Sequence, residues 1–297
     1  MDAQTALFQQ HRPRLFALAY RMLGTPGDAE DVLHDAWLRW NDQDTSMLDD
    51  PEAWLVTVTT RIALDRLRRA KTEREHHVGP WLPEPLIADE EEPAMQAERG
   101  QSLQISFLLL LERLSAEERA AFLLHEVFDY SHGEAAAMLG ISEESCRQRT
   151  HRARQHLRAG RPRFTHAPQI QQRLLEKFML AMQQPSPDLL KTLFAEDVTL
   201  VSDGGGRVTA ALRPLHGSDR LIRLYMQIAL RYDEVRATHR LQWLNGAPAL
   251  LTWVDGELAT VMWIETDGER IAAIHALRDP LKLARLRAVT PDPARAS

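Results

Sequence analysis

Apolar residues recur at helical spacing through the first half of the chain and give way to short alternating runs in the second. Leu7, Phe8, Leu15, Leu18, Ala19 and Met22 form one stripe, stopped by Gly24-Thr25-Pro26-Gly27. Ala29, Val32, Leu33, Ala36, Trp37 and Trp40 form a second, with Asp28 expected as its cap. Residues 41–50 are polar loop. Pro51 suits the first turn of a third helix carrying Trp54, Leu55, Val58, Ile62, Leu64 and Leu67 and ending in the basic cluster Arg66, Arg68, Arg69 and Lys71. From about 76 to 99 the periodicity lapses. Pro80, Pro83, Pro85 and Pro93, with the acidic run Asp89-Glu90-Glu91-Glu92, predict a linker.

Helical patterning then resumes. Ser115-Ala-Glu-Glu118 and Ser131-His-Gly-Glu134 each read as a capping box and predict helices over about 116–128 and 132–139. Gly140 is the stop, Ile141 a core contact and Ser142 the cap of the next helix, while Ala135, Ala136 and Ala137 are small enough for a close crossing. The seventeen residues from Glu144 to Gly160 carry five arginines and no acid after Glu144. Two capped helices, a tight turn and a basic helix predict a helix-turn-helix whose last helix enters the DNA major groove. Cys146 falls on its inward side, as core. Arg147, Gln148, His151 and Arg152 share the opposite arc. Arginine suits guanine O6/N7 and glutamine adenine N6/N7, whereas Arg149, Arg154 and Arg158 are placed to touch phosphates.

Beyond residue 165 the pattern changes. An amphipathic helix over 168–184 and a second over 187–195 precede strands at Val198–Ser202 and Arg207–Leu212, which flank Gly204-Gly205-Gly206. A helix over about 218–232 follows. Strands at 235–244, 248–254, 257–265 and 269–278 are separated by Asn245-Gly246, Asp255-Gly256 and Asp267-Gly268, each a hairpin signal. Helices packed on a long curved meander make an α+β cone with an interior pocket.

Composition narrows the classes. The chain has 297 residues, 44% hydrophobic and 26% charged, enough for two or three cores. Its net charge is −6. Residues 1–165 hold 20 Lys+Arg against 27 Asp+Glu, and residues 166–297 hold 16 against 15. A nonspecific nucleic-acid binder would be basic overall, so DNA binding here must be local or rely on a larger partner. No apolar run reaches the ~20 residues of a membrane span. The start of the chain lacks signal-peptide features, and Cys146 is the single cysteine, so a reducing cytoplasm is expected. No His/Cys/Asp grouping has metal-ligand spacing, and no cofactor is expected.

Three blocks carry a resemblance. GTPGDAEDVLHDAWLRW (24–40), AWLVTVTTRIALDRLRR (53–69) and LSAEERAAFLLHEVFDYSHGEAAAMLGISEESCRQRTHRARQHLR (114–158) resemble regions 2 and 4 of bacterial sigma-70 factors, in the small extracytoplasmic-function group. The resemblance implies core RNA polymerase and promoter DNA as partners. It implies that Glu30, Asp31, Val32, Leu33 and Asp35 dock on polymerase. It implies that Asp44, Thr45, Arg61, Arg66, Arg68 and Arg69 serve melting at the −10 element, and that Arg147, Gln148, His151 and Arg152, backed by Arg149 and Arg154, read the −35 element. Internal core is the competing reading for Val32, Leu33 and Trp37, and solvated surface charge for Arg68 and Lys71.

The third part resembles the SnoaL-like, ketosteroid-isomerase-like cone found fused to some of these factors. Its motifs are WLPEP (Trp81, Leu82, Pro83 to Pro85), DGGGR (Asp203, Gly204, Gly205, Gly206, Arg207) and, near the C-terminus, Asp279-Pro280-Leu281-Lys282-Leu283. Such a domain is implied to regulate in cis in place of a separate anti-sigma protein. The expected organisation is therefore multidomain: an all-α region 2 domain (1–75), a linker (76–99), an all-α helix-turn-helix region 4 domain (100–165) and an α+β SnoaL-like cone (168–290). Two other readings stay open. One is a ketosteroid-isomerase-like enzyme carrying a DNA-binding module, with Asp203, His216, Tyr225, Trp263 or His275 as pocket groups. The other is a sensor with a small-molecule ligand in the cone. No paired carboxylate or His-Asp spacing supports catalysis, and a response regulator would need an N-terminal α/β receiver, which residues 1–70 lack.

Overall fold

The computed structural model describes residues 3–86, 105–159 and 168–292. It divides into two compact units, one from residues 1–75 and 88–161, the other from 76–87 and 162–297. The acids of the expected linker, Asp89 to Glu92, lie outside the described residues.

In the first unit α1 (Ala3–Leu23), α2 (Pro26–Asn41) and α3 (Pro51–Glu75) pack as a three-helix bundle. α2 starts earlier than expected. Thr25, in extended conformation, is its N-cap and Pro26 its first residue, while Asp28 accepts the Thr25 hydroxyl from the first turn. Proline fits there because the first helical amide has no intrahelical partner. Val32 and Leu33 are 0% and 3% exposed, and with Ala29, Ala36 and Trp40 they form the inward stripe of α2. They are core, not polymerase-facing surface. Trp37 is half-buried against Phe8, ring centroids 5.0 Å apart.

The same unit continues with α4 (Ile105–Leu111), α5 (Ala116–Phe122), a π-type segment over Leu123–Val127, α6 (His132–Leu139) and α7 (Glu143–Ala159). Both capping boxes form: Ser115 with Glu118 and Ser131 with Glu134. Gly140 takes φ 66°, and the Ile141 amide reaches back 3.0 Å to the Ala136 carbonyl, closing α6 at the turn. The Ser142 hydroxyl accepts from the Ser145 amide at 3.2 Å. Cys146, Thr150, Ala153 and Leu157 form the buried stripe of α7, which fixes the face left to solvent.

The second unit is the α+β cone. α8 (Pro168–Gln183), α9 (Pro187–Leu193) and α10 (Ser218–Glu234) lie with a six-stranded sheet of order β2-β1-β6-β5-β4-β3. Its strands are β1 (Phe194–Asp203), β2 (Leu215–His216), β3 (Ala237–Leu244), β4 (Ala247–Val254), β5 (Glu257–Thr266) and β6 (Ile271–Leu277). β1 runs parallel to β6, and every other pair is antiparallel. α11 (Pro280–Val289) closes the described part of the unit and packs on β5. Asn245-Gly246 and Asp255-Gly256 have positive φ at both residues, the I′ geometry expected of them. Asp267-Gly268 instead belongs to a wider turn, with Asp267 Oδ1 accepting from the Glu269 and Arg270 amides.

Residues 207–212 are not a strand. Gly205 and Gly206 adopt positive φ, and the chain folds on itself with Arg207 N bonded to Gly204 O at 2.9 Å, so pairing with β1 is left to Leu215 and His216. Phe178, Phe194 and Tyr225 cluster under the concave face of the sheet, Phe178 meeting Tyr225 edge-on at 4.9 Å. Beside them the concave face and α10 enclose a cavity of about 910 Å³.

Candidate functional site

The first site is the outer face of α7. With Cys146, Thr150 and Ala153 inward, the 3.6-residue period turns Arg147, Gln148, His151 and Arg152 to solvent, with Arg154 half-buried at the edge of that face. Arg147 pairs with Glu143 and Arg154 with Glu126. Gln148 donates to Glu144 at 3.4 Å, and Arg152 Nε to Glu118 at 3.3 Å. Glu143, Glu144 and Glu126 are exposed, so those pairs are weak and exchangeable, whereas Glu118, the partner of Arg152, is buried. Arg149 is half-buried beside them. Burial pushes the Cys146 thiol upward, which suits a core residue and not a nucleophile.

The second site is the α2–α3 bundle. Asp31 and Asp35 are exposed, Glu30 is paired with Arg12 at 2.7 Å, and Leu38, half exposed one turn beyond Asp35, supplies the apolar area that Val32 and Leu33 do not. The i, i+4, i+7 spacing of 31, 35 and 38 was the available signal. Asp44 is exposed beside the short 3₁₀ turn Thr45–Met47, whose Met47 is 78% exposed.

Along α3 the expected DNA-facing cations are largely occupied within the unit. Arg61 Nε donates to the Met138 carbonyl at 2.9 Å, satisfying the C-terminal end of α6. Arg66 bonds Asp28 and Asp31 at 3.1 and 2.7 Å, and Arg68 bonds Asp65 and Glu117, both at 3.0 Å. Arg69 is exposed. Lys71 donates to the Leu114 carbonyl at 2.7 Å, and Arg74 pairs with Glu112. Burial would raise the Glu112 carboxyl, but the guanidinium groups of Arg119 and Arg74 outweigh it and hold it below the usual range. This Arg74–Glu112–Arg119 group joins the two helical halves and carried no sequence motif.

The third site lies in the second unit, where residues 76–86, bent over 76–79 and without regular structure beyond, are clasped by both C-terminal motifs. Asp203, fully buried at the end of β1, is the hub. Its Oδ2 accepts the Leu82 amide at 2.9 Å and the Lys282 ammonium at 2.7 Å, and its Oδ1 lies 2.8 Å from His77 Nε2 and accepts the Gly205 amide at 3.0 Å. Lys282 Nζ also donates to the Leu82 carbonyl at 2.6 Å and lies 4.1 Å from the Trp81 ring centroid. Burial acts to raise the Asp203 carboxyl. The Lys282 charge, with the bonds from Lys282, Leu82 and His77, outweighs it and keeps the group ionised below the ordinary carboxylate range.

Glycine is required at two points of this clasp. A Cβ on Gly205 would fall 2.1 Å from Asp279 Oδ2, and one on Gly206 2.9 Å from the Val78 side chain. Asp279 caps α11 by accepting the Leu281 amide and also takes Arg207 Nη1 at 3.1 Å. Pro280 opens that helix, and Leu283 is buried. Leu82 is 2% exposed, Pro83 and Pro85 are buried, and Trp81 is half-buried. At the far end Asn245 Oδ1 accepts the Leu86 amide at 2.7 Å, and its own amide returns to the Leu86 carbonyl. His77 and Asn245 escaped the sequence reading, the first lying outside any motif and the second read only as a turn residue.

Among the candidates of the enzyme reading, His275 Nε2 lies 3.1 Å from Glu265 Oε1. Of these candidates only Tyr225 lines the cavity. Trp263 and His275 alternate with the lining residues Met262 and Ala276 and so face the other side of the sheet, His216 is exposed on β2, and Asp203 is held in the clasp. No helix among the described residues is long and apolar enough to cross a membrane.

Comparison with known proteins adds the following. The family model for sigma-70 region 2 matches residues 7–73, and that for sigma-70 region 4 matches residues 104–157. The ECF RNA polymerase sigma factor SigJ of Mycobacterium tuberculosis is 35% identical over 243 residues, 80% of this chain and 78% of that protein. The probable ECF RNA polymerase sigma factor SigI of the same species is 30% identical over 290 residues, 97% of each. The crystal structure of M. tuberculosis SigJ superposes with a TM-score of 0.76 at 30% identity, covering 94% of this chain and 98% of the other.

Proposed function

Since the chain belongs to the extracytoplasmic-function RNA polymerase sigma factors of the sigma-70 family, whose members bind core polymerase and promoter DNA in transcription initiation, we propose how its parts divide that work. The outward arc of α7 reads the −35 element, Arg147, Gln148, His151 and Arg152 toward base edges and Arg149 and Arg154 toward phosphates. The exposed acids of α2, Asp31 and Asp35 with Glu30 behind them, meet a basic surface of core polymerase, and Leu38 adds apolar contact. Asp44 and Thr45 lie beside the path of the unstacked −10 strand, with Arg61, Arg66, Arg68 and Arg69 to neutralise its backbone. In the arrangement described, Arg61 is bonded to the end of α6. Engagement of the −10 element therefore requires α3 and α6 to part.

The cone serves as a regulator in cis and not as a catalyst, with Trp81, Leu82 and Pro83 held by Asp203–Arg207 and Asp279–Leu283. One observation carries this reading: the Asp203 carboxylate binds the linker at Leu82 and the C-terminal helix at Lys282 through the same oxygen. A segment that must adjust when regions 2 and 4 engage a promoter is thereby tied to the cone, and a tethered contact needs little intrinsic affinity.

The test is run-off transcription with bacterial core polymerase on the promoter upstream of the protein's own operon. It compares the wild-type chain with Trp81→Ala/Lys282→Ala. Product from both, in different amount, is the expected result. Equal product from a folded variant overturns cis control, and silence from both without core binding overturns the division of labour itself.

A further inference from the structure

We propose that the cavity of the cone is a binding site for a small amphipathic anion, an apolar chain or ring system carrying one carboxylate or sulfonate. The inference goes beyond the promoter function and stands on the cavity alone. At about 910 Å³ it has the size of sites that enclose a drug-sized ligand. Its walls are apolar, from Phe178, Met182, Leu200, Leu250 and Met262.

Two kinds of polar group interrupt those walls. His239, Thr252 and Thr260 are direct neighbours across β3, β4 and β5 and all face the cavity, a single polar row on an apolar floor. His239 Nδ1 lies 3.0 Å from Thr252 Oγ1, and burial pushes the imidazole pKa down, so the row is neutral at pH 7. It offers hydrogen bonds without charge. The second kind is cationic: Arg207 in the turn after β1, Arg231 on α10 and Arg278 just past β6. No Asp or Glu is among the residues lining the cavity. Arg207 already pairs with Asp279 and Arg278 bonds the Thr209 carbonyl, so the lining is cationic on balance: it disfavours a cationic end, and a wholly neutral ligand gains nothing from Arg231. An apolar body with one anionic end satisfies both, because guanidinium–carboxylate bonds are the strong, bidentate kind.

The site also touches the clasp. Arg207 holds Asp279, and the Arg278 amide donates to the Asp203 carbonyl at 2.7 Å. An anion at the rim competes with Asp279 for Arg207, so occupancy would loosen the support of the linker-binding loop.

The test uses the full chain and two fluorescent probes of the same shape, 1-anilinonaphthalene-8-sulfonate and its uncharged parent N-phenyl-1-naphthylamine. Saturable binding of the sulfonate, about tenfold tighter than of the parent, is expected. Arg231→Met should remove most of that preference and leave the parent's affinity unchanged. Ala276→Phe, which fills the floor, should remove both signals. A readout without variants guards against misfolding: dodecanoate should displace the sulfonate probe from wild-type protein, and dodecanol should not. No sulfonate binding, equal affinity for the two probes, indifference to Arg231→Met, or displacement by dodecanol as readily as by dodecanoate would each overturn the proposal.

Discussion

Lys282 Nζ lies 2.7 Å from Asp203 Oδ2 with the two side chains 9% and 0% exposed, a buried ion pair that joins the last motif of the chain to the first strand of the sheet. Each charge also has neutral partners, the Leu82 amide and carbonyl. The pair is worth most as a pair. Lys282→Met should leave the carboxylate buried without its counter-charge and destabilise the second unit by about 3–5 kcal/mol, whereas Asp203→Asn/Lys282→Met should recover part of that loss. Denaturant melts of the full chain, with hydrogen exchange at residues 76–86 as the local probe, check the ordering of the variants.

Acid should open the same clasp. The folded-state pKa of Asp203 is depressed, so its stabilisation is fully present above the unfolded value of about 3.9 and is lost as pH falls through the lower folded value. The facing titratable groups are His77 and Lys282. Exchange protection at Leu82 is therefore expected to persist from pH 7 to about pH 4 and to fall only below it, as the carboxylate takes up its proton. Loss of protection near pH 6 would show that another group governs the contact.

Gly205→Ala tests the backbone. At φ 59° and with Asp279 Oδ2 only 2.1 Å from the new carbon, alanine must displace the cap of α11 and the Arg207 bond together. A destabilisation of about 1–3 kcal/mol is expected, against a smaller effect for Gly246→Asn, where nothing lies within 4 Å and only the positive φ of 67° resists the side chain. Equal melting of the two variants would refute the close packing.

On α7 the outward residues should separate by role. Arg147→Ala or Gln148→Ala should cost about 1–3 kcal/mol on the cognate promoter and relax base preference at one −35 position. Arg149→Ala should weaken all promoters alike and reduce the salt slope of binding by about one. Run-off assays on promoters substituted one base pair at a time distinguish the patterns.

Legibility in the sequence followed how local the signal was. Both capping boxes, the Gly140 turn and the outward arc of α7 depend on residues within one turn of each other, and they form as read. The cone was legible from Asn-Gly and Asp-Gly pairs, whose backbone preference is intrinsic. The errors were tertiary. Val32 and Leu33 are inward because the bundle selects which side of α2 it covers, and a single helix does not reveal that choice. Residues 207–212 read as a strand in the sequence but are folded over by the Gly205-Gly206 turn, held by the Gly205 amide on Asp203 and Arg207 on Asp279. The Arg61–Met138 and His77–Asp203 contacts span 77 and 126 residues, far beyond any local pattern.

The clasp also governs how far the chain can reach. Residues 76–86 connect the end of α3 toward the start of α4, yet while bonded to Asp203, Lys282 and Asn245 they lend that connection none of their length. Freed and fully extended, these eleven residues span at most about 36–40 Å. Under the proposed cis control, a single buried carboxylate sets the working length of a tether, and the number of base pairs that two DNA-reading elements straddle becomes a quantity for the cone to ration.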